Sequence, residues 1–203
     1  MKKIVHYFDY KSPYAYLAQE ETYKLAKNYR AEVEYIPLTL DIPSYFGRAE
    51  LDEKGVDRIG ERNPHQWRRV KYSYMDCRRE ATRRGMTILG PKKIFDSSVA
   101  HIGMLFAKER GNFWRYHELA FERFFLRKFD TGDTEAVKSL LEEVEIDSSE
   151  FDSYLNGSGR LSLEAFKSEA DKIGVFGVPS YLVDGQLYWG AERLERVIEH
   201  LGN

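Results

Sequence analysis

A β-α-β unit at one end, a β-β-α unit at the other and a long helical block between them predict an α/β fold whose sheet carries a large all-helical insertion. Three observations carry this expectation. Apolar runs of strand length lie near the two ends, at 2–10, 33–40 and 181–189. From about Ser44 to Gly174 there is little strand character, and apolar residues recur at helical spacing. The closing segment places Leu194, Val197, Ile198 and Leu201 at i, i+3, i+4 and i+7, an amphipathic stripe.

Taken in order, residues 2–10 read as a buried strand with Ile4, Val5, Tyr7 and Phe8, running into Ser12-Pro13. Pro13 suits the first turn of a helix over 13–30, because its missing N–H would be unpaired there anyway. Ser12 takes the N-cap, and Tyr14, Leu17, Ala18 and Leu25 share one face. Val33 to Leu40 is a second strand, and β-α-β order favours a parallel pair with a right-handed crossover. Helical stretches follow at 63–84, 97–110 and 112–128, with breaks at Gly85–Pro91 and Gly111. Asp133-Thr134-Glu135 opens a short helix through Leu141. Ser148-Ser149-Glu150 caps another that Asn156-Gly157 closes, and Ser162 to Ile173 ends the block. Tyr181-Leu182-Val183, Asp184-Gly185 and Gln186 to Trp189 read as a hairpin with a two-residue turn. With the block removed, this is the element order of a thioredoxin fold. Residues 1–43 and 174–203 would form the thioredoxin-like domain, and 44–173 the helical insertion.

Composition excludes several function classes. Hydrophobic residues make up 42% and charged residues 32%, an ordinary globular balance, while a net charge of −2 offers no global attraction to nucleic acid or acidic lipid. The basic residues from Arg68 to Arg84, with Trp67, Tyr72 and Tyr74 among them, have acidic neighbours at Asp76 and Glu80 and read as a solvated helix face, the alternatives being RNA contact or attraction of an anionic substrate toward the cleft. Cys77 is the one cysteine, so an intramolecular disulfide, a CxxC pair and a Cys-rich zinc site are all excluded. Cys77 itself reads as a packing residue. The five histidines show no metal-ligand spacing, and no metal is expected. Neither an apolar leader at the N-terminus nor a run of membrane-spanning length is visible, so a cytoplasmic location is expected.

Two loops hold the candidate chemistry. A hydroxyl at a helix N-terminus suits an anion, in particular a thiolate, although Ser-Pro at a helix start is also an ordinary cap. Gly174-Val175-Phe176-Gly177-Val178-Pro179-Ser180 precedes the hairpin. A cis bond at Val178-Pro179 fits there, the alternative being a proline that merely starts an edge strand. In a thioredoxin order this loop faces the start of the first helix. The main chain of Val178 could then pair with an extended, peptide-like ligand.

Ser12-Pro13-Tyr14 with Tyr16-Leu17-Ala18, Gly174 to Pro179, and Trp189-Gly190 with Arg193-Leu194 together resemble the 2-hydroxychromene-2-carboxylate isomerase family. That family is related to kappa-class glutathione transferases within the DsbA-like thioredoxin superfamily. The resemblance implies a thioredoxin fold with a helical insertion, bound glutathione, and Ser12 beside the glutathione sulfur. It implies that Val178 holds the cysteinyl backbone and that Asn63, in Asn63-Pro64, contacts glutathione; read by itself, Asn63 is a helix cap. Where the family usually has a small residue and an aspartate at the γ-glutamyl end, this chain has Ala191-Glu192. The carboxylate is kept but is one methylene longer, and a hydroxyl is lost; Glu192 also complements a helix dipole. The implied activity is glutathione-dependent isomerisation, or kappa-type transfer, on a small unsaturated aromatic acid or other electrophile. A homodimer is implied, with neither nucleic acid nor membrane as partner. The alternative is a non-catalytic peptide-binding module that uses the Val178 loop. Disulfide exchange is excluded, because the CxxC position reads Ser12-Pro13-Tyr14-Ala15.

Overall fold

The structure, a computed structural model, describes residues 2–29 and 31–202. Strand β1 (Lys3–Phe8) leads through helix α1 (Pro13–Asn28) to β2 (Glu32–Pro37). A short helix α2 (Ile42–Phe46) and two two-residue strands, β3 (Gly47–Arg48) and β4 (Glu61–Arg62), come next. Helices α3 (Pro64–Arg83), α4 (Ser98–Glu109), α5 (Phe113–Phe125), α6 (Thr134–Glu143), α7 (Phe151–Asn156) and α8 (Ser158–Ile173) form the block. The chain closes with β5 (Ser180–Val183), β6 (Gln186–Trp189), a 3-10 turn (Ala191–Arg193) and α9 (Leu194–Gly202).

The main sheet has the order β2-β1-β5-β6. β1 runs parallel to β2, pairing Lys3 with Glu32 and Phe8 with Pro37, and antiparallel to β5, pairing Ile4 with Val183. The β5–β6 turn has positive φ at both Asp184 (48°) and Gly185 (78°), which matches the right-handed twist of a hairpin. Strand periodicity sends alternate residues of β1 to opposite layers. Ile4 packs with Tyr181 and Val183 against Ala18 and Leu25 of α1 and Val197 of α9. Tyr7 packs with Ile36 and Val178 against Ala170 of α8.

The largest core cluster crosses the boundary expected between the two regions. Phe8, Tyr10 and Tyr35 from the sheet side join Ile102 and Phe106 of α4 and Phe121 and Phe125 of α5 in one packed group. The insertion is thus anchored to the sheet by shared core, and the base of its α4 lies beside the end of β1.

Three local features differ from the sequence expectation. The β3–β4 pair lies in a stretch expected to lack strands; two residues per strand are too few to carry an alternating pattern. Helix α8 begins at Ser158 and not at Ser162, because Gly159 sits inside it as a close-approach residue. A Cβ there would meet Ile102 Cγ2 at 2.5 Å and Tyr154 Cδ1 at 2.6 Å. Ser148 does not cap α7; its hydroxyl donates to Glu142 Oε1 at 2.8 Å, and Glu150 stands at the N-cap with no side-chain hydrogen bond.

Candidate active site

The turn that connects β1 to α1 is held at both ends. Ser12 N–H donates to the Asp9 carbonyl at 2.9 Å, closing a tight turn. Ser12 Oγ accepts from the Ala15 N–H at 3.2 Å, as an N-cap does, and donates to the Val178 carbonyl at 3.4 Å. The Val178–Pro179 peptide is cis. Ser12 and Val178 are both buried, and they are brought together from positions 166 residues apart. Among the described residues the Val178 N–H has no hydrogen-bond partner. The Ser12 hydroxyl, whose own donation to Val178 is long at 3.4 Å, thus lies beside the main chain of the proline loop.

The other expected contact residues are placed as follows. The Gly190 N–H donates to the Pro179 carbonyl at 2.9 Å, so the turn that carries Ala191 and Glu192 is tied to the proline loop. Ala191 packs against the cluster that contains Leu194 and Val197. Glu192 is exposed, with its carboxylate folded over Gly190, where a Cβ would meet Glu192 Cδ at 2.7 Å. Asn63 caps α3, its Oδ1 accepting from His65 N at 3.1 Å and Gln66 N at 3.2 Å. No hydrogen bond joins Asn63, Ala191 or Glu192 to Ser12 or Val178 among the described residues.

Sequence reasoning missed the polar cluster under the serine turn. The Asp9 carboxylate is fully buried. Its Oδ1 accepts from Lys11 N at 3.0 Å and Ser97 Oγ at 2.7 Å, and its Oδ2 accepts from Leu40 N at 2.9 Å. The Lys11 ammonium lies 3.5 Å from Oδ2 and donates to the Leu40 carbonyl at 2.9 Å. Burial pushes the Asp9 carboxyl up, but the Lys11 charge, the neighbouring His101 ring and the two backbone N–H groups outweigh it, leaving Asp9 below its ordinary value. An Asp two residues before Lys11 and three before Ser12 is the one sequence signal that could have pointed here, as an Asx-type turn.

His101 Nδ1 lies 2.7 Å from Thr39 Oγ1, and its Nε2 accepts from the Tyr10 N–H at 3.4 Å. An Nε2 that accepts leaves the proton on Nδ1, so the ring is neutral and donates to Thr39. Burial lowers its pKa to about 4, against the opposing pull of Asp9. Among the described residues no group of His, Cys, Asp and Glu side chains could hold a metal. Cys77 is buried in α3, and burial pushes its thiol up to about 12, so it carries no thiolate at neutral pH.

A family model of the DSBA-like thioredoxin domain matches residues 3–202. The chain belongs to the DSBA-like thioredoxin family. Among proteins similar to this DSBA-like chain, a 2-hydroxychromene-2-carboxylate isomerase of Sphingobium xenophagum is 26% identical over 98% of each chain. One of Pseudomonas putida is 25% identical, covering 93% of this chain and 88% of its own. Among solved structures, a 2-hydroxychromene-2-carboxylate isomerase superposes with a TM-score of 0.77 at 21% identity, covering 98% of this chain and 94% of that one. The oxidoreductase DsbA from Xylella fastidiosa shares the fold at a TM-score of 0.60 and 13% identity, over 98% and 83% of the two chains. Dithiol exchange needs two cysteines at the start of α1, and this DSBA-like chain has Ser12 and Ala15 there. No helix among the described residues is long and apolar enough to cross a membrane.

Proposed function

We propose that this protein is a glutathione-dependent isomerase of the 2-hydroxychromene-2-carboxylate type, or a kappa-type glutathione transferase, acting on a small unsaturated aromatic acid or a related electrophile. The observation that carries the reading is the Ser12–Val178 pair: a hydroxyl at a helix N-terminus, 3.4 Å from the carbonyl of a residue whose N–H has no partner among the described residues. Its relatives' names supply the substrate type. A cytoplasmic location and a homodimer belong to the same reading.

Bound glutathione would supply the sulfur nucleophile. Val178 would hold the tripeptide through its free N–H, as a neighbouring strand would. The Ser12 hydroxyl would turn from Val178 toward the sulfur and donate to it. Together with the N-terminus of α1, that donor favours thiolate over thiol. A charge-assisted hydrogen bond plus the dipole supplies roughly 2–3 kcal/mol, and about 1.4 kcal/mol lowers a pKa by one unit. An ordinary thiol near 8.5 would then be about half to four-fifths ionised at pH 7. Asn63, Ala191 and Glu192 are proposed for the outer ends of the tripeptide, with the longer Glu192 arm weakening that contact.

A second reading, a non-catalytic peptide-binding module, draws on one observation. Phe176 (66% exposed) and Trp189 (47% exposed) pack at a tilt beside the same loop with ring centroids 4.8 Å apart. Titration with glutathione at pH 7 separates the two readings. Saturable binding with a thiolate absorbance that Ser12→Ala abolishes is the result expected of the enzyme. No binding would overturn the glutathione reading and favour the module.

A further inference from the structure

A cleft of about 580 Å³ opens beside the serine turn and is lined by Lys11, Leu40 and Asp41 on one side and by Arg160, Leu163 and Lys167 of α8 on the other. Lys11 is the unusual member. Its side chain is only 9% exposed, yet it lines this cleft. An ammonium has three N–H groups. One donates to the Leu40 carbonyl at 2.9 Å, and the Asp9 contact at 3.5 Å is an ionic contact longer than a hydrogen bond. The Asp9 oxygens are already supplied by Lys11 N, Leu40 N and the Ser97 hydroxyl. Lys11 thus retains donor capacity at the cleft, one residue from Ser12.

The walls suit an anion with an apolar body. Arg48, Arg160 and Lys167 line the cleft with Phe95 and Leu163. Two of the acids that share it are engaged locally: Asp41 accepts from the Ser44 hydroxyl and backbone N–H, and Asp96 from Ser98 Oγ at 2.8 Å and N at 2.9 Å. Lys11 faces Asp9 at 3.5 Å, and Glu50 and Glu164 stand against Arg48, Arg160 and Lys167. Lys93 is held by Asp130 at 2.8 Å.

We propose that this cleft is the acid-recognition site, with Lys11 binding the carboxylate of an unsaturated aromatic acid whose ring lies along Phe95 and Leu163. This assigns Lys11 as a specificity-determining residue, and it deepens the proposed function by placing the acid beside the Ser12 turn. The ammonium already faces the Asp9 carboxylate at 3.5 Å, so an incoming anion gains from its remaining charge-assisted donors and from Arg160 and Lys167. An uncharged amide isostere can accept a hydrogen bond from it but gains less than a carboxylate does.

The test is a titration with cinnamate and with cinnamamide, in the absence of glutathione, followed by calorimetry. Wild-type protein should bind cinnamate at least tenfold more tightly than cinnamamide. Lys11→Met should bring the two within about twofold, and Lys11→Arg should keep the preference. Because removing Lys11 leaves Asp9 without its counter-charge, the double variant Arg160→Met/Lys167→Met provides an arm that leaves the Asp9 cluster intact; it should lower the preference two- to fivefold. Equal affinity of wild type for acid and amide overturns the inference, as does a preference unchanged in Lys11→Met or in the double variant. Neither ligand contains a thiol, so failure of glutathione binding with the cinnamate preference intact would strike only the proposed function.

Discussion

The Asp9 carboxylate accepts the Ser97 hydroxyl at 2.7 Å, a buried bond between the end of β1 and the start of α4. With the Leu40 N–H on its other oxygen, Asp9 joins the sheet and the insertion directly behind Ser12. Asp9→Asn keeps the shape but turns an NH2 toward either Lys11 N–H or Leu40 N–H, both donors, and leaves Lys11 without an opposing charge. Breaking a buried charged network in this way costs about 3 kcal/mol or more. The sign of the pH dependence follows from the depressed Asp9 pKa: its contribution is present above the ordinary carboxylate range and is lost as pH falls through the folded value. Urea unfolding at pH 7 checks this, and a loss under 1 kcal/mol would contradict it.

Ser12→Ala removes two different things. The lost cap on Ala15 N should lower stability by only about 1 kcal/mol. The lost donor to sulfur should lower turnover by roughly 30- to 100-fold, the equivalent of about 2–3 kcal/mol. Circular dichroism and steady-state rates on 2-hydroxychromene-2-carboxylate with glutathione separate the effects. Undiminished turnover would sink the role given to Ser12.

Acid should destabilise the fold early, through its histidines. His6, His101 and His117 are all buried, and burial lowers His6 to about 3, His101 to about 4 and His117 well below the ordinary 6.5. A base whose folded pKa is depressed contributes fully above its unfolded pKa and loses that contribution as pH falls toward the folded value. The slope is up to about 1.4 kcal/mol per pH unit for each ring, or roughly 2 kcal/mol per ring between pH 7 and 5. Urea midpoints at pH 7, 6 and 5 should fall steadily. His6→Phe should flatten the profile, since His6 Nδ1 has no hydrogen-bond partner and its ring stacks on Tyr181 at 4.7 Å. An unchanged slope in that variant would count against the assignment.

Gly177→Ala should move Trp189. The added Cβ would lie 2.7 Å from Trp189 Nε1 and 3.3 Å from Cε2. Chain stiffening favours alanine by about 0.4–1 kcal/mol, while overpacking costs about 1–3 kcal/mol. Trp189 is half exposed and can swing outward, so the net loss should stay near 1 kcal/mol. A red shift in tryptophan emission with an intact fold is the expected signature; an unchanged spectrum would contradict it.

Much of the architecture was legible along the chain because its signals are local. Pro13 after Ser12 marks the start of α1, Asp184-Gly185 marks the hairpin, and the Leu194 to Leu201 stripe marks α9. The misses share a physical cause. The spacing predicts the last helix of the block from Ser162, but that helix includes Gly159, which Ile102 and Tyr154 approach closely, and β3–β4 is too short to show a period. Asn63 is seen to cap α3, which the local sequence alone already allowed.

By itself, then, the sequence determined the β-α-β and β-β-α units at the two ends, the helical character of the block between them, the absence of a thiol pair at the start of α1, and Ser12 at its N-cap. Those are properties of neighbouring residues and of composition. The tertiary structure alone decided that Ser12 meets Val178, that Lys11 is buried at the edge of a cleft, and that Asp9 ties Leu40 and Ser97 to the serine turn. These contacts span between 31 and 166 residues wherever they leave the turn itself, and no local pattern encodes them. Burial does the rest: the same aspartate and lysine on a surface would be an ordinary, screened pair.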